Sequence, residues 1–122
     1  VNGISGKKSA SEHETSLPHL MDVLAGGEDW FGRAGAARQL GAIGDARALP
    51  ALIEALRAEN KLVRMAAARA LGEIGDAGAV PALIEALRDE SDSVQLDAAV
   101  ALNNIGTPDA LAAVDAWLDS RR

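Results

Sequence analysis

Leu49, Leu52, Ile53 and Leu56 stand at i, i+3, i+4 and i+7, the spacing that lays one apolar stripe along an α-helix. The same stripe occurs at Leu17, Leu20, Met21 and Leu24, and again at Val80, Leu83, Ile84 and Leu87. Pro18, Pro50 and Pro81 fall near its start, where a missing amide donor costs a helix nothing. Each stripe is followed by a segment of small residues that opens behind Asp29, Asn60 or Ser91, all good N-caps. These segments end at Gly44, Gly75 and Gly106, the residue that best takes the left-handed turn after a helix. Asp45, Asp76 and Thr107 come next and are expected to cap the following helix. The pattern predicts three helix pairs and a final helix over about Pro108 to Asp119.

The pairs are copies of one another. Gly-Ala-Ile-Gly-Asp-Ala-Arg-Ala-Leu-Pro-Ala-Leu-Ile-Glu-Ala-Leu at 41–56 returns 31 residues later, at 72–87, with three changes. A degraded third copy begins at Asn103, and Leu17 to Leu24 match Leu49 to Leu56 at an offset of 32. The extra residue falls in the Gly26-Gly27 turn. A single pair cannot bury its stripe, whereas about three stacked units can. The predicted fold is therefore all-α: a solenoid of about three helix pairs plus a C-terminal capping helix, seven helices in all. Its units run 17–44, 45–75, 76–106 and 107–119, with a tail at 120–122. Asp115 replaces Ile53 and Ile84, and Trp117 replaces Ala55 and Ala86, as suits a unit with no successor. Residues 1–16 are polar and unpatterned and are expected to be a disordered leader.

Composition sharpens this picture. Alanine fills 26 of 122 positions, while only Trp30, Phe31 and Trp117 are aromatic, so the helices must approach closely through small side chains. The absence of Cys excludes a disulfide framework, a zinc ribbon and a thiol nucleophile. Two His, His13 and His19, leave little for a metal site, and no cofactor is expected. A net charge of −6 argues against nucleic acid, which needs a basic stripe. No apolar run is long enough to span a bilayer and no secretory signal is visible, which suggests a cytoplasmic protein. The chain begins with Val, as a piece of a longer protein would.

Leu62-Val63-Arg64-Met65-Ala66-Ala67-Ala68-Arg69-Ala70-Leu71-Gly72-Glu73-Ile74-Gly75-Asp76, with its copies and the preceding proline-bearing helix, resembles the HEAT repeat. The 31-residue period is similar to the subclass named after phycocyanobilin lyases. The resemblance covers residues 17–119 and implies a right-handed α-solenoid, proline-bearing helices outside and Ala-rich helices lining the concave face. The third copy departs from it with Gln95 where Arg33 and Arg64 stand, and with Asn103 for Gly41 and Gly72; the first has Gly32 for Val63.

Within the Ala-rich segments, the positions of Val63, Ala67, Leu71 and Ile74 stay apolar or small in every copy and mark the core face. A helical wheel sets a second group away from it: Trp30, Phe31, Ala34, Arg38 and Ala42, then Lys61, Leu62, Met65, Arg69 and Glu73, then Asp92, Ser93, Leu96, Val100 and Asn104. Trp30, Phe31, Leu62, Met65, Leu96 and Val100, with Arg38 and Arg69 beside them, have the make-up of a protein-binding groove. The expected function is a non-enzymatic interaction module that binds a partner peptide or helix. Alternatively, Trp30 and Phe31 fold over the open N-terminal end as a lid. Asp22, Glu54 and Glu85 recur at one position, but Arg57 and Arg88 three residues on make a surface ion-pair spacing the simpler reading. Arg33 and Arg64 are expected to bond turn carboxylates or carbonyls of neighbouring repeats.

The repeat resemblance raises further activities. Iron-binding deoxyhypusine hydroxylases place His-Glu pairs on repeat helices; here the one such pair, His13-Glu14, lies in the leader. HEAT-like DNA glycosylases need a basic concave face that this charge balance does not supply. A bilin lyase or pigment-protein chaperone is the alternative function, with Trp30, Phe31, Arg38 and Arg69 as the residues to serve it. A homodimer is a further possibility. No nucleophile with a base and no glycine-rich phosphate loop point to an enzyme.

Overall fold

The computed structural model describes residues 16–27 and 29–122, so the expected leader and its His13-Glu14 pair lie outside the described residues apart from Ser16. Among the described residues there are seven α-helices: α1 (Leu17–Gly26), α2 (Trp30–Ile43), α3 (Leu49–Ala55), α4 (Lys61–Ile74), α5 (Val80–Ala86), α6 (Asp92–Ile105) and α7 (Pro108–Ser120). Each Ala-rich helix begins as its cap residue dictates. The Asp29 carboxylate accepts from the Gly32 amide at 2.6 Å, Asn60 Oδ1 from Leu62 at 2.8 Å, and Ser91 Oγ from Val94 at 3.5 Å. Each ends on a glycine with φ of 76°, 74° or 73°, at Gly44, Gly75 and Gly106. At the next cap the structure corrects one expectation. Asp45 and Asp76 cap a single 3-10 turn, Ala46–Ala48 and Ala77–Ala79, rather than the proline-bearing α-helix itself. The tight turn brings α3 and α5 in at Leu49 and Val80, with proline in their first turn. Of these three, Thr107 alone caps its α-helix directly, with Oγ1 accepting from the Ala110 amide.

The helices form two layers. α2, α4 and α6 lie side by side in one, and the proline-bearing helices pack against them in the other. Leu24, Leu40, Leu52, Leu71, Leu83 and Leu102 are fully buried between the layers, and among the described residues 15 of the 28 buried apolar ones are Ala. That small core allows the inner helices to touch backbone to backbone. A Cβ added at Gly41 would lie 2.8 Å from Ala70 Cα, and one at Gly72 would lie 2.8 Å from Ala101 Cα. The outer layer is looser, with clefts of about 140 Å³ between α3 and α5 and about 340 Å³ between α5 and α7. The Ala-rich helices thus pack more closely on one another than the outer helices do. Ile53 and Ile84 sit at this open side and are only half-buried, whereas the expectation placed them in the core; Asp115 at the same register is exposed.

Position 33/64/95 bonds the turn before its own helix, and of the two arginines expected to reach a neighbouring repeat only Arg64 does so. Arg33 Nε donates to the Leu24 carbonyl at 2.9 Å. Arg64 donates to the Ala58 and Glu59 carbonyls, both at 2.8 Å, and to the Asp89 carboxylate of the next turn. Gln95 keeps the role without the charge, giving Nε2 to the Asp89 carbonyl at 2.6 Å. Its freed Oε1 accepts from Trp117 Nε1 at 3.1 Å and from Arg121 Nη1 at 3.0 Å, which fastens α7 to α6. Arg121 also lies over the Trp117 ring, 4.8 Å from its centre.

Candidate functional site

The wheel face opposite the core is presented by α2, α4 and α6. Near the start of α2 and α4 it forms a hollow of about 240 Å³ lined by Trp30, Phe31, Ala34, Arg38, Leu62, Met65, Ala66 and Arg69. Six of the eight residues expected in a groove therefore meet in one place. Trp30 is 45% exposed, Phe31 66% and Leu62 41%, while Met65 is half-buried and Ala34, counted with the open face, is buried beneath them. The two rings stand edge to face, 5.7 Å between centres at 86°. Exposed rings are unusual in a domain this poor in aromatics, and together they offer apolar area that no neighbouring helix covers.

Val100 belongs to an adjoining hollow of about 320 Å³, with Arg69, Glu73, Asp97, Ala101 and Asn104. Leu96, 56% exposed, stands outside both hollows. Arg69 is the wall they share. Its Nε lies 3.1 Å from Asp97 Oδ2, yet that fully buried oxygen has no donor aligned on it, so the contact is an ion pair without a hydrogen bond. Asp97 is the residue that reading by type missed. The signal was present in the repeat register: Asp97 stands where Ala66 and Gly35 stand in the other copies.

The recurring carboxylates make no site. Among the described residues no ion pair joins Glu54 to Arg57 or Glu85 to Arg88, so the expected surface pairs do not form at that spacing; the arginines extend along the clefts between outer helices. No group of three His, Asp or Glu among the described residues is placed to hold a metal ion. No helix there is long and apolar enough to cross a membrane.

Comparison with known proteins agrees with this architecture. The HEAT-repeat family profile matches residues 17–102 and again 56–122, taking in all seven helices. No curated protein matches the chain. The matched ranges together span the stacked helix pairs and the final helix, and the chain belongs to the HEAT-repeat family.

Proposed function

We propose that the chain is a non-enzymatic protein-interaction module that holds a peptide or helix of a partner protein on the exposed face of α2, α4 and α6. HEAT repeats commonly mediate protein–protein interaction. The observation that carries the reading is the hollow itself. Trp30, Phe31, Leu62 and Met65 form a contiguous apolar surface with Arg38 and Arg69 at its edge, and aromatic residues, Met and Arg are the types enriched at protein interfaces. Its volume, about 240 Å³, falls below the range of roughly 300–1,000 Å³ usual for small-molecule pockets and suits one or two anchoring side chains. The same size weighs against the alternative, handling of a bilin, whose large ring system needs a longer cleft.

The test is the double substitution Met65→Glu and Leu96→Glu. Both side chains lie off the core face, so the variant folds, and two carboxylates beside the apolar surface abolish partner capture. Binding that survives in the folded double variant overturns the reading. A visible absorbance band on titration with phycocyanobilin is the result that would favour the pigment alternative.

A further inference from the structure

Resting on that reading, we infer that Arg38, and not Arg69, reads the partner's charge, and that the hollow takes a segment whose bulky apolar anchor lies next to a carboxylate. The two arginines occupy the same register, 31 residues apart, on α2 and α4. Their surroundings differ at one position. Asp97 follows Arg69 by 28 residues and meets it at 3.1 Å; the residue that follows Arg38 by 28 is Ala66, which has no charge to offer. Among the described residues no carboxylate lies within ion-pair distance of Arg38, although it is exposed and lines the hollow.

Lys61 does not compete for this role. It lines a separate polar depression with Glu59, Glu90 and Asp92, whose carboxylates surround it with negative charge. The eight residues around the apolar hollow include two cations and no anion. One of those cations is already matched within the fold, which among the described residues leaves a single unmatched charge beside the rings. Beyond Arg69 the adjoining hollow has the opposite character, with Glu73, Asp97 and Asn104. A carboxylate on the partner is therefore attracted at the α2 end and repelled at the α6 end. This difference fixes which way the segment lies across the helices as well as what it carries.

The probes are labelled amphipathic helical peptides, identical except for one residue beside a leucine anchor, which is Asp, Asn or Lys. Fluorescence anisotropy gives their affinities for the wild-type protein and for Arg38→Ala, Arg38→Glu, Arg69→Ala and Met65→Glu. The Asp peptide is expected to bind best and the Lys peptide worst, with about fivefold per step, the scale of a partly exposed charge pair. Arg38→Ala flattens that order and Arg38→Glu reverses it, whereas Arg69→Ala keeps it. A general loss of structure cannot produce a reversal. Affinity indifferent to the peptide charge but abolished by Met65→Glu overturns the assignment to Arg38 and leaves the groove standing. Binding that survives Met65→Glu overturns the groove and this inference with it. No binding by any peptide up to about 1 mM overturns the stated partner chemistry.

Discussion

Arg64 and Asp89, 25 residues apart in the chain, meet in a two-pronged ion pair that ties the start of α4 to the turn after α5. The bonds are 2.9 and 3.2 Å long, and the two side chains are 9% and 11% exposed. One guanidinium thus bonds the turn before its own helix and the turn of the next unit, while Asp89 also accepts from the Ser91 amide. At the register of Asp89 the previous unit has Ala58; Arg33 bonds the Leu24 carbonyl, and among the described residues no carboxylate pairs with it. Among the described residues, side-chain hydrogen bonds and ion pairs therefore join the second unit to the third, while none joins the first to the second.

Replacing Arg64 by Met is expected to destabilise the fold by about 2–4 kcal/mol. The substitution removes four hydrogen bonds and leaves the Asp89 carboxylate buried with the Ser91 amide as its remaining close donor. Arg33→Met, which removes one bond to a carbonyl, is expected to cost about 1 kcal/mol. Urea midpoints of the two variants check the difference; equal losses would show that the contact with Asp89 contributes nothing.

Gly72→Ala runs against helix propensity in a diagnostic way. On an isolated helix the change stabilises by about 1 kcal/mol. Here the new methyl would sit 2.8 Å from Ala101 Cα, which is backbone and cannot turn aside, so α4 and α6 must separate. A net loss of about 1–3 kcal/mol is expected. Asn103, at the same register on α6, is exposed, and Asn103→Ala is expected to be neutral or slightly stabilising. Thermal unfolding of both variants separates close approach from propensity.

The acid side of the stability curve has a specific contributor. The Arg47 guanidinium, hydrogen-bonded to Asp45, holds that carboxyl at about 2 instead of its ordinary 3.8. The Thr107 hydroxyl, donating to Asp109, lowers that carboxyl as well. A carboxylate held below its unfolded value stabilises the fold above that value, and the contribution is lost as pH falls through the folded one. For Asp45 the window is between 3.8 and about 2. Asp45→Asn is expected to give a shallower fall of the urea midpoint across that window, with no change in its pH dependence above about pH 5.

Much of this was legible in the sequence because the repeat supplies its own controls. Caps at Asp29, Asn60 and Ser91 and glycines at Gly44, Gly75 and Gly106 act through local backbone chemistry, which a sequence states outright. The 3-10 turns at Ala46–Ala48 and Ala77–Ala79 were not legible, since Asp45 and Asp76 signal a helical start without saying how tightly it winds. Half-burial of Ile53 and Ile84 depends on the splay of the outer layer, a property of the whole stack. The hollow was readable as a set of residues, yet Asp97 was passed over. Its importance lies in facing Arg69 across two helices, a contact that exists only once α4 and α6 are placed side by side.

Trp30 and Phe31 separate the two readings of the aromatic pair. A lid over the N-terminal end would cover core, and truncating it would cost about 3–5 kcal/mol, as for a buried ring. The rings are instead 45% and 66% exposed and touch each other edge to face, a contact worth about 0.5–1.5 kcal/mol beyond area. Trp30→Ala and Phe31→Ala are each expected to lower stability by less than about 1.5 kcal/mol. The same substitutions are expected to weaken partner binding at least tenfold, the scale of a hot-spot residue. Urea unfolding and binding measured on the same preparations decide the matter: a large stability loss with intact affinity identifies a lid, and the reverse identifies a contact surface.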